Sequence, residues 1–184
     1  MRTTLRAVLS FDGIGLHSGK PARLTLLPAR ANTGIVFVRT DAAGDGTRLR
    51  AMWDQVEVSP LNTRLTHGDV SVSTIEHLMA ALSGCGVHNA IIEIDGPEVP
   101  IMDGSAMPFV EAVDEAGIRE LDRPRRFIKI LKTVSAEDGQ SWGELSPYDD
   151  GFHLDVEIDF DEPMIGRQRF AAELTPRVFR RELA

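Results

Sequence analysis

The sequence predicts an α+β protein, in which a two-layer α/β sandwich domain is followed by an incomplete second sandwich of similar topology. Three patterns predict it. Apolar and polar residues alternate over 22–26, which is typical of a strand with one buried face. Apolar residues recur at helical spacing over 75–82. The clearest alternation of the chain, over 152–160, predicts a further antiparallel sheet.

Composition places the chain among soluble globular proteins. Its 184 residues are 42% hydrophobic and 26% charged, close to the average for such domains. The sequence contains neither a signal peptide nor an apolar run of the ~18 residues that a membrane span needs. The single cysteine, Cys85, excludes internal disulfides and Cys-based zinc knuckles and suits a reducing compartment. We therefore expect a cytoplasmic protein.

The charge of the chain is unevenly distributed. The formal net charge is −8, with +5 on residues 1–50 and −13 on residues 51–184. The basic residues are scattered and no aromatic ladder accompanies them, so nucleic acid is not expected as a partner.

The first domain is expected to span residues 1–122. Strands are predicted over 22–26 and 34–40, with a glycine-rich loop over 11–20 before them and a polar, turn-rich connection over 41–48 after them.

Two helices and a strand complete this domain. A helix is expected over 71–84, capped by Ser73 or Thr74, and a buried strand over 89–95. The second helix is expected from about Pro108 to Gly117.

The second domain is expected to span residues 123–184. The charged segment 119–126 contains a proline and is the predicted linker. Strands are predicted over 127–134 and 152–160, and the apolar side of the latter should be covered by helices.

The last residues predict a helix that begins at Thr175-Pro176, with Val178, Phe179 and Leu183 on one side. Because this helix has no stop signal before Ala184, we expect the natural chain to continue; a natural terminal helix is the alternative.

The strongest chemical motif is Glu76-His77, about one turn into the predicted helix. On a helical wheel His77 faces away from the apolar stripe and Glu76 lies at its border. His77 could serve as a metal ligand or a base, or simply face solvent. Ser73 and Glu76 also fit a capping box, in which the carboxylate only bonds to backbone.

Two loops are weaker candidates for a functional site. The loop GIGLHSGK (13–20) lacks the spacing of a Walker motif, so it is either a tight turn or an anion cradle with His17 at its tip. In IMDGSA (101–106), Asp103 precedes a glycine turn, and helix capping alone would explain it.

Taken together, these segments resemble the UDP-3-O-acyl-N-acetylglucosamine deacetylases, zinc amidases of lipid A synthesis in Gram-negative bacteria. The resemblance covers essentially the whole chain. Its most specific part pairs the EHL helix with the PIMDGSA loop. The matching stretches are GIGLHSGK (13–20), PARANTGIVFVRTD (28–41), STIEHLMAALSGCGVHNAIIEIDGPEVPIMDGSAMPFV (73–110) and ELTPRVFRRELA (173–184).

The resemblance implies two similar domains with the active site in the cleft between them. It implies that Glu76 is the general base and His77 a Zn²⁺ ligand. The substrate-binding positions that it suggests are His17, Leu61, Asn62, Thr63 and Asp103. The implied substrate is a UDP-linked, acylated amino sugar. The implied protein is a monomer that touches the inner membrane only transiently.

The sequence also departs from the family. Family members are longer, and their other zinc ligands, a His and an Asp one helical turn apart, lie beyond the position of Ala184. The second catalytic His and the acyl-chain tunnel lie there too. The other histidines here lack the spacing to replace those ligands. We therefore expect this chain alone to bind zinc weakly and to be inactive. We also expect it to expose the apolar side of 152–160 and of the last helix.

The alternative to a deacetylase is a shortened, non-catalytic homologue that binds a ligand or partner.

Overall fold

The computed structural model describes residues 1–44 and 46–184. The chain forms two compact units: residues 1–125 together with 182–184, and residues 126–181. The domain division predicted from the sequence, between 122 and 123, lies a few residues before this one. Asp45, inside the predicted 41–48 connection, lies outside the described residues.

The first unit contains ten strands among its described residues. They are β1 (Arg2–Leu5), β2 (Leu9–Ile14), β3 (Pro21–Pro28), β4 (Ile35–Arg39), β5 (Arg48–Arg50), β6 (Val56–Glu57), β7 (Arg64–His67), β8 (Val70–Val72), β9 (Ala90–Ile94) and β10 (Ile118–Leu121). A short 3₁₀ turn, Trp53–Gln55, lies between β5 and β6. The strands predicted over 22–26, 34–40 and 89–95 are confirmed.

Five of these strands form the main sheet, in the order β2-β3-β9-β4-β5. All neighbours are antiparallel except β4 and β9, which are parallel. Strand β3 buries Ala22, Leu24 and Leu26 and alternates them with more exposed residues, as expected for a strand with one face on a core. Two smaller sheets, β6-β7-β8 and β1-β10, complete the set.

Two helices belong to this unit, α1 (Glu76–Gly84) and α2 (Met107–Ala116), and they contact each other. Helix α1 buries Leu78 and Leu82, and α2 buries Phe109, whose ring meets that of Phe11 on β2 edge-on at 5.0 Å. Such an aromatic pair adds to the stabilisation from buried area. The α+β class is therefore confirmed, and the two-layer sandwich stays a prediction.

The second unit contains two antiparallel hairpins. One pairs β11 (Val134–Asp138) with β12 (Ser141–Leu145), and the other pairs β13 (His153–Asp159) with β14 (Arg167–Glu173). The alternating segment 152–160 is thus a strand, as predicted. Its apolar side chains Phe152, Val156, Ile158 and Phe160 are 41–54% exposed. These four side chains are not covered by the helices that the alternation predicted, so the exposure expected for 152–160 is confirmed at them. Leu154, on the same side of the strand, is half-buried.

The chain ends in a short helix, α3 (Pro176–Val178), followed by a π-helical turn, Phe179–Leu183. Thr175 caps it by accepting a hydrogen bond at Oγ1 from the backbone N–H of Val178, 3.2 Å away, so the predicted cap is confirmed. Phe179 is buried and Leu183 is 39% exposed. The exposure expected for the last helix is therefore wrong at Phe179.

The centre of the chain differs from the prediction in two places. Residues 119–121 of the linker predicted over 119–126 belong to β10, which pairs with β1, whereas the division between the two units, after residue 125, falls inside that predicted linker. Residues 127–133 form no strand, and Phe127, Ile128 and Leu131 are more than three-quarters exposed. A β-strand needs a partner strand to pair its backbone and pack its side chains, and this segment pairs with none among the described residues.

Candidate functional site

Helix α1 begins at Glu76, later than the 71–84 pattern predicted. Val70–Val72 pairs with β7 as strand β8, and Ser73 forms a bridge with Glu98, so the residues before Thr74 are extended. The residue before the helix, Ile75, makes no side-chain cap. The predicted capping by Ser73 or Thr74 is therefore wrong.

The Glu76 carboxylate is held by another segment of the chain. Its Oε2 accepts a hydrogen bond from the backbone N–H of Thr63, at 2.9 Å. A capping box would direct this carboxylate to the backbone at the start of its own helix, so that reading of Glu76 is wrong. The contact fixes one carboxylate oxygen and orients the side chain toward the segment before β7.

Glu76 lies in a pocket with mostly apolar walls. The pocket measures about 250 Å³, and Glu76 and Thr63 are its main polar members. Trp53, at one side, is 84% exposed. The full lining is Ala51, Met52, Trp53, Val56, Thr63, Leu65, Ile75, Glu76 and Met79.

His77, the next residue, is half-buried and acts electrostatically on Asp103. The pKa of Asp103 is lowered first by the hydrogen bonds from Ser105 and, to a smaller extent, by the charge of the His77 imidazole. Asp103 Oδ1 accepts hydrogen bonds from both the backbone N–H and the hydroxyl of Ser105, at 2.9 and 2.8 Å. The turn before α2 and the first turn of α1 therefore place an acid and an imidazole within electrostatic reach.

The structure reveals a buried carboxylate that the sequence analysis missed. Glu98 is only 2% exposed. Its oxygens accept hydrogen bonds from the backbone N–H groups of His17 and Ser18, at 2.9 and 2.7 Å, and from the Thr74 hydroxyl, at 2.8 Å. Burial alone would raise the pKa of Glu98, but the hydrogen bonds from His17, Ser18 and Thr74 outweigh it and lower the pKa to about 2.

The backbone around Glu98 is tightly constrained. Thr74 has a φ of 57°, a left-handed conformation that is costly for a β-branched residue. Gly15 lies so close that a Cβ there would be 2.4 Å from Glu98 Oε2. Glu98 thus connects the 13–20 loop to the entrance of α1, and only glycine fits at the point of closest approach.

The predicted substrate-binding residues are placed as follows. Thr63 contacts Glu76, Asp103 lies near His77, and the backbone of His17 binds Glu98. The side chains of His17 and Leu61 are exposed. Asn62 accepts a hydrogen bond from the Ser59 hydroxyl. These contacts bring three predicted segments to the N-terminal end of α1, and the roles assigned to the residues stay predictions.

One sequence signal could have pointed to Glu98. It is a lone carboxylate inside PEVPIM (97–102), an otherwise apolar stretch. A buried carboxylate needs partners, but the sequence does not show that they come from residues 17, 18 and 74.

His77 is the imidazole that the first turn of α1 offers to a metal. His77 has the chemistry of a zinc ligand. Among residues 1–44 and 46–184, no three His, Cys, Asp or Glu side chains form a group that could hold a metal ion. His88 and His153 are engaged elsewhere, with Thr3 and Glu173 respectively. His77 therefore fits as a single donor rather than as part of a complete set.

Comparison with known proteins identifies the family. The family model for UDP-3-O-acyl N-acetylglycosamine deacetylase matches residues 2–184. Curated proteins named UDP-3-O-acyl-N-acetylglucosamine deacetylase from Brucella melitensis biotype 2, Brucella ovis and Brucella abortus strain S19 are each 48% identical to it over 181 residues. The match covers 98% of this chain and 63% of each relative.

The chain belongs to the UDP-3-O-acyl N-acetylglycosamine deacetylase family. It spans less than two thirds of the length of the curated relatives that it matches. None of the helices in its described part is long and apolar enough to cross a membrane.

Proposed function

We propose that this chain supplies the general base and one zinc ligand of a deacetylase that acts in lipid A synthesis. The reaction is hydrolysis of the N-acetyl group of UDP-3-O-acyl-N-acetylglucosamine, with release of acetate, in the cytoplasm. Membership of the family supports the reaction class. The observation that carries the assignment of roles is the pairing of Glu76 and His77 at the first turn of α1.

Glu76 is suited to the role of base. Thr63 binds its Oε2, and no contact among the described residues occupies Oε1. The carboxylate is therefore oriented by one oxygen and can accept a proton from an attacking water at the other. The water oxygen bonds to the acetyl carbon, the carbon–nitrogen bond breaks, and the proton passes to the departing nitrogen, which leaves an amino group on the sugar and releases acetate.

His77 would hold the metal through one imidazole nitrogen. When bound, zinc supplies a Lewis acid that polarises the amide carbonyl and lowers the pKa of water. Catalytic zinc normally has three protein ligands. We propose that the remaining donors come from residues of longer family members that this chain does not contain.

The pocket around Glu76 fits the apolar part of such a substrate. Its walls are formed largely by Met52, Trp53, Val56 and Leu65. Only the part of the acyl chain nearest the reacting amide would bury apolar area here, because the acyl-chain tunnel of the family lies beyond the position of Ala184. The proposed substrate is therefore a nucleotide sugar that carries an acyl chain. We propose that the enzyme acts on it as a monomer and contacts the inner membrane only transiently.

The test measures zinc and acetate together. The 184-residue chain should retain less than stoichiometric zinc after dialysis and release no acetate from the substrate. A protein extended to the length of its relatives should retain zinc and release acetate. In that extended protein, Glu76→Ala should lower kcat by about 10² to 10⁴-fold with zinc retained, whereas His77→Ala should lose zinc.

Two results would decide against the proposal. Undiminished turnover in Glu76→Ala would remove the base assignment. An extended native protein that neither binds zinc nor turns over substrate would favour the alternative, a non-catalytic homologue that uses the same surface to bind a ligand.

A further inference from the structure

A second pocket lies at the other end of the first unit. It measures about 490 Å³ and is formed by two segments, residues 28–32 and residues 119–123. Pro28 pairs with Ala90, the first residue of β9, which follows α1 in the chain. The pocket therefore adjoins the end of the sheet reached after the C-terminus of α1, whereas Glu76 and His77 lie at the N-terminus of α1.

The first wall of this pocket is rigid. The backbone N–H of Ala29 donates to Thr4 Oγ1 at 2.8 Å, and that of Gly34 donates to Asn89 Oδ1 at 3.1 Å. Both Thr4 and Asn89 are fully buried. The loop that carries Arg30 is thus fixed to the core at two points.

The second wall is equally fixed. Strand β10 pairs with β1 so that Arg119 lies opposite Thr4 and Leu121 opposite Arg2. Directly opposite residues of an antiparallel pair share one face, and Arg119 and Leu121 both line the pocket. The backbone N–H of Arg2 also donates to the carbonyl oxygen of Arg123, at 2.9 Å.

The pocket has an excess of positive charge. Three arginines, Arg30, Arg119 and Arg123, line it against one acid, Asp122. Within residues 1–44 and 46–184, the guanidinium groups of Arg30 and Arg119 make no hydrogen bond or ion pair. Arg123 donates to the carbonyl oxygen of Asp122 at 3.1 Å, which leaves its other donors available.

The surroundings reinforce this positive potential. The pKa of His88, next to the buried Asn89, is lowered first by burial and then by the charges of Arg125, the N-terminus and Arg2. Several cations therefore act on this end of the unit, in a chain whose net charge is −8.

We infer that this pocket binds a phosphate or diphosphate group through Arg30, Arg119 and Arg123. Guanidinium groups present planar pairs of N–H donors that match phosphate oxygens. Walls that are already fixed reduce the entropy lost when such an ion is held. The phosphate could be carried by a soluble ligand or by a lipid head group, and these two sources share the same recognition chemistry.

The inference is tested by titrating the protein with inorganic pyrophosphate at low and physiological salt, using calorimetry. Arg30→Gln and Arg119→Gln should each weaken binding at least fivefold, with unchanged melting temperatures. Arg50→Gln is the matched control, because Arg50 is an exposed arginine on β5, outside this pocket. Co-sedimentation with phosphatidylcholine vesicles, with and without phosphatidylglycerol, tests the lipid source.

Each outcome is decisive. Pyrophosphate binding that falls in Arg30→Gln and Arg119→Gln, but not in Arg50→Gln, supports a site for soluble phosphate ligands. Binding only to vesicles that contain phosphatidylglycerol, with the same dependence on the variants, supports the site with a lipid source. No binding in either experiment, or equal weakening by Arg50→Gln, overturns the inference and leaves the proposed function of Glu76 and His77 untouched.

Discussion

The Glu98 carboxylate accepts a hydrogen bond from the Thr74 hydroxyl, with 2.8 Å between the two oxygens. Thr74 lies two residues before the first residue of α1 and has a left-handed backbone. The same carboxylate holds the backbone of His17 and Ser18. One buried side chain therefore fixes both the loop at 13–20 and the backbone just before α1. It thereby sets the direction in which α1, with Glu76 and His77 in its first turn, begins after β8.

Acid should destabilise the first unit through Glu98. Its pKa in the folded protein is about 2, against 4.5 for the free group. Because the folded pKa is depressed, the stabilisation is complete above pH 4.5 and is lost as the pH falls toward 2. The loss should be on the order of 3 kcal/mol, measured by urea denaturation at a series of pH values and followed by circular dichroism.

Glu98→Gln should remove this part of the pH dependence. An amide also places N–H donors where the backbone N–H groups of His17 and Ser18 need an acceptor, so the variant should lose about 2 kcal/mol or more at neutral pH. Glu111→Gln, on the exposed side of α2, is the control and should keep the wild-type profile. Equal profiles for wild type and Glu98→Gln would contradict the assignment.

The hydroxyl of Thr74 should contribute more to the free energy of unfolding than the β-branched shape of the side chain does. Thr74→Val keeps a β-branched residue at the left-handed position but removes the donor to Glu98, so it should cost roughly 1.5–3 kcal/mol of unfolding free energy. Thr74→Ser keeps the donor and should cost less than about 1 kcal/mol. Urea denaturation at neutral pH measures both variants. Equal losses would show that the hydrogen bond contributes nothing.

Gly15 and Gly19 should respond differently to alanine. A Cβ at Gly15 would lie 2.4 Å from both Glu98 Oε2 and Ser18 Oγ, whereas one at Gly19 meets nothing within 4 Å. Gly19 has a φ of 62°, so Gly19→Ala should cost only about 1 kcal/mol of backbone strain. Gly15→Ala should cost about 2 kcal/mol or more, because Glu98 must shift away from its hydrogen-bond donors.

The hydrogen-exchange rates of the His17 and Ser18 backbone amides should distinguish Gly15→Ala from Gly19→Ala. These backbone N–H groups should exchange faster in Gly15→Ala and at the wild-type rate in Gly19→Ala. Unchanged protection in Gly15→Ala would mean that the loop accommodates the methyl group without moving Glu98.

The hairpin β13-β14 should bind hydrophobic dyes. Val156 and Ile158 are 45% and 41% exposed and lie on the same side of β13, so an anilinonaphthalene dye should fluoresce strongly with the 184-residue chain. Replacing both by lysine should lower that fluorescence severalfold. Asp159→Lys adds a cation on the polar side and should leave it unchanged. A signal that does not respond to the double variant would place the dye elsewhere.

Local patterns predicted the regular elements well. The alternation in β3 and β13 and the proline at the start of α2 each reflect forces that act over a few residues. The same rules failed where a distant partner decides the structure. Within residues 1–44 and 46–184, the apolar-rich run at 127–133 has no strand beside it, whereas residues 118–121 form a strand because β1 is available to pair with them.

The candidate site shows the same division. Glu76 and His77 stand out because both lie in one helical turn beside an apolar stripe, and that helix together with the PIMDGSA loop is the most specific part of the resemblance to the deacetylases. The capping-box pattern of Ser73 and Glu76 misled, because the hydrogen bond to the Glu76 carboxylate comes from Thr63, thirteen residues before Glu76. Glu98 could not be found by local rules, because its partners are twenty-four and about eighty residues away in sequence.

That separation bears on how the site is made during synthesis. A nascent chain reaches the 13–20 loop early, but the carboxylate that holds it emerges only after residue 98 has been added. At typical elongation rates of about 5–20 residues per second, several seconds pass between synthesis of the loop and synthesis of Glu98, the residue that accepts its hydrogen bonds. The backbone just before α1 can therefore reach its final conformation only late in synthesis, once most of the first unit has left the ribosome.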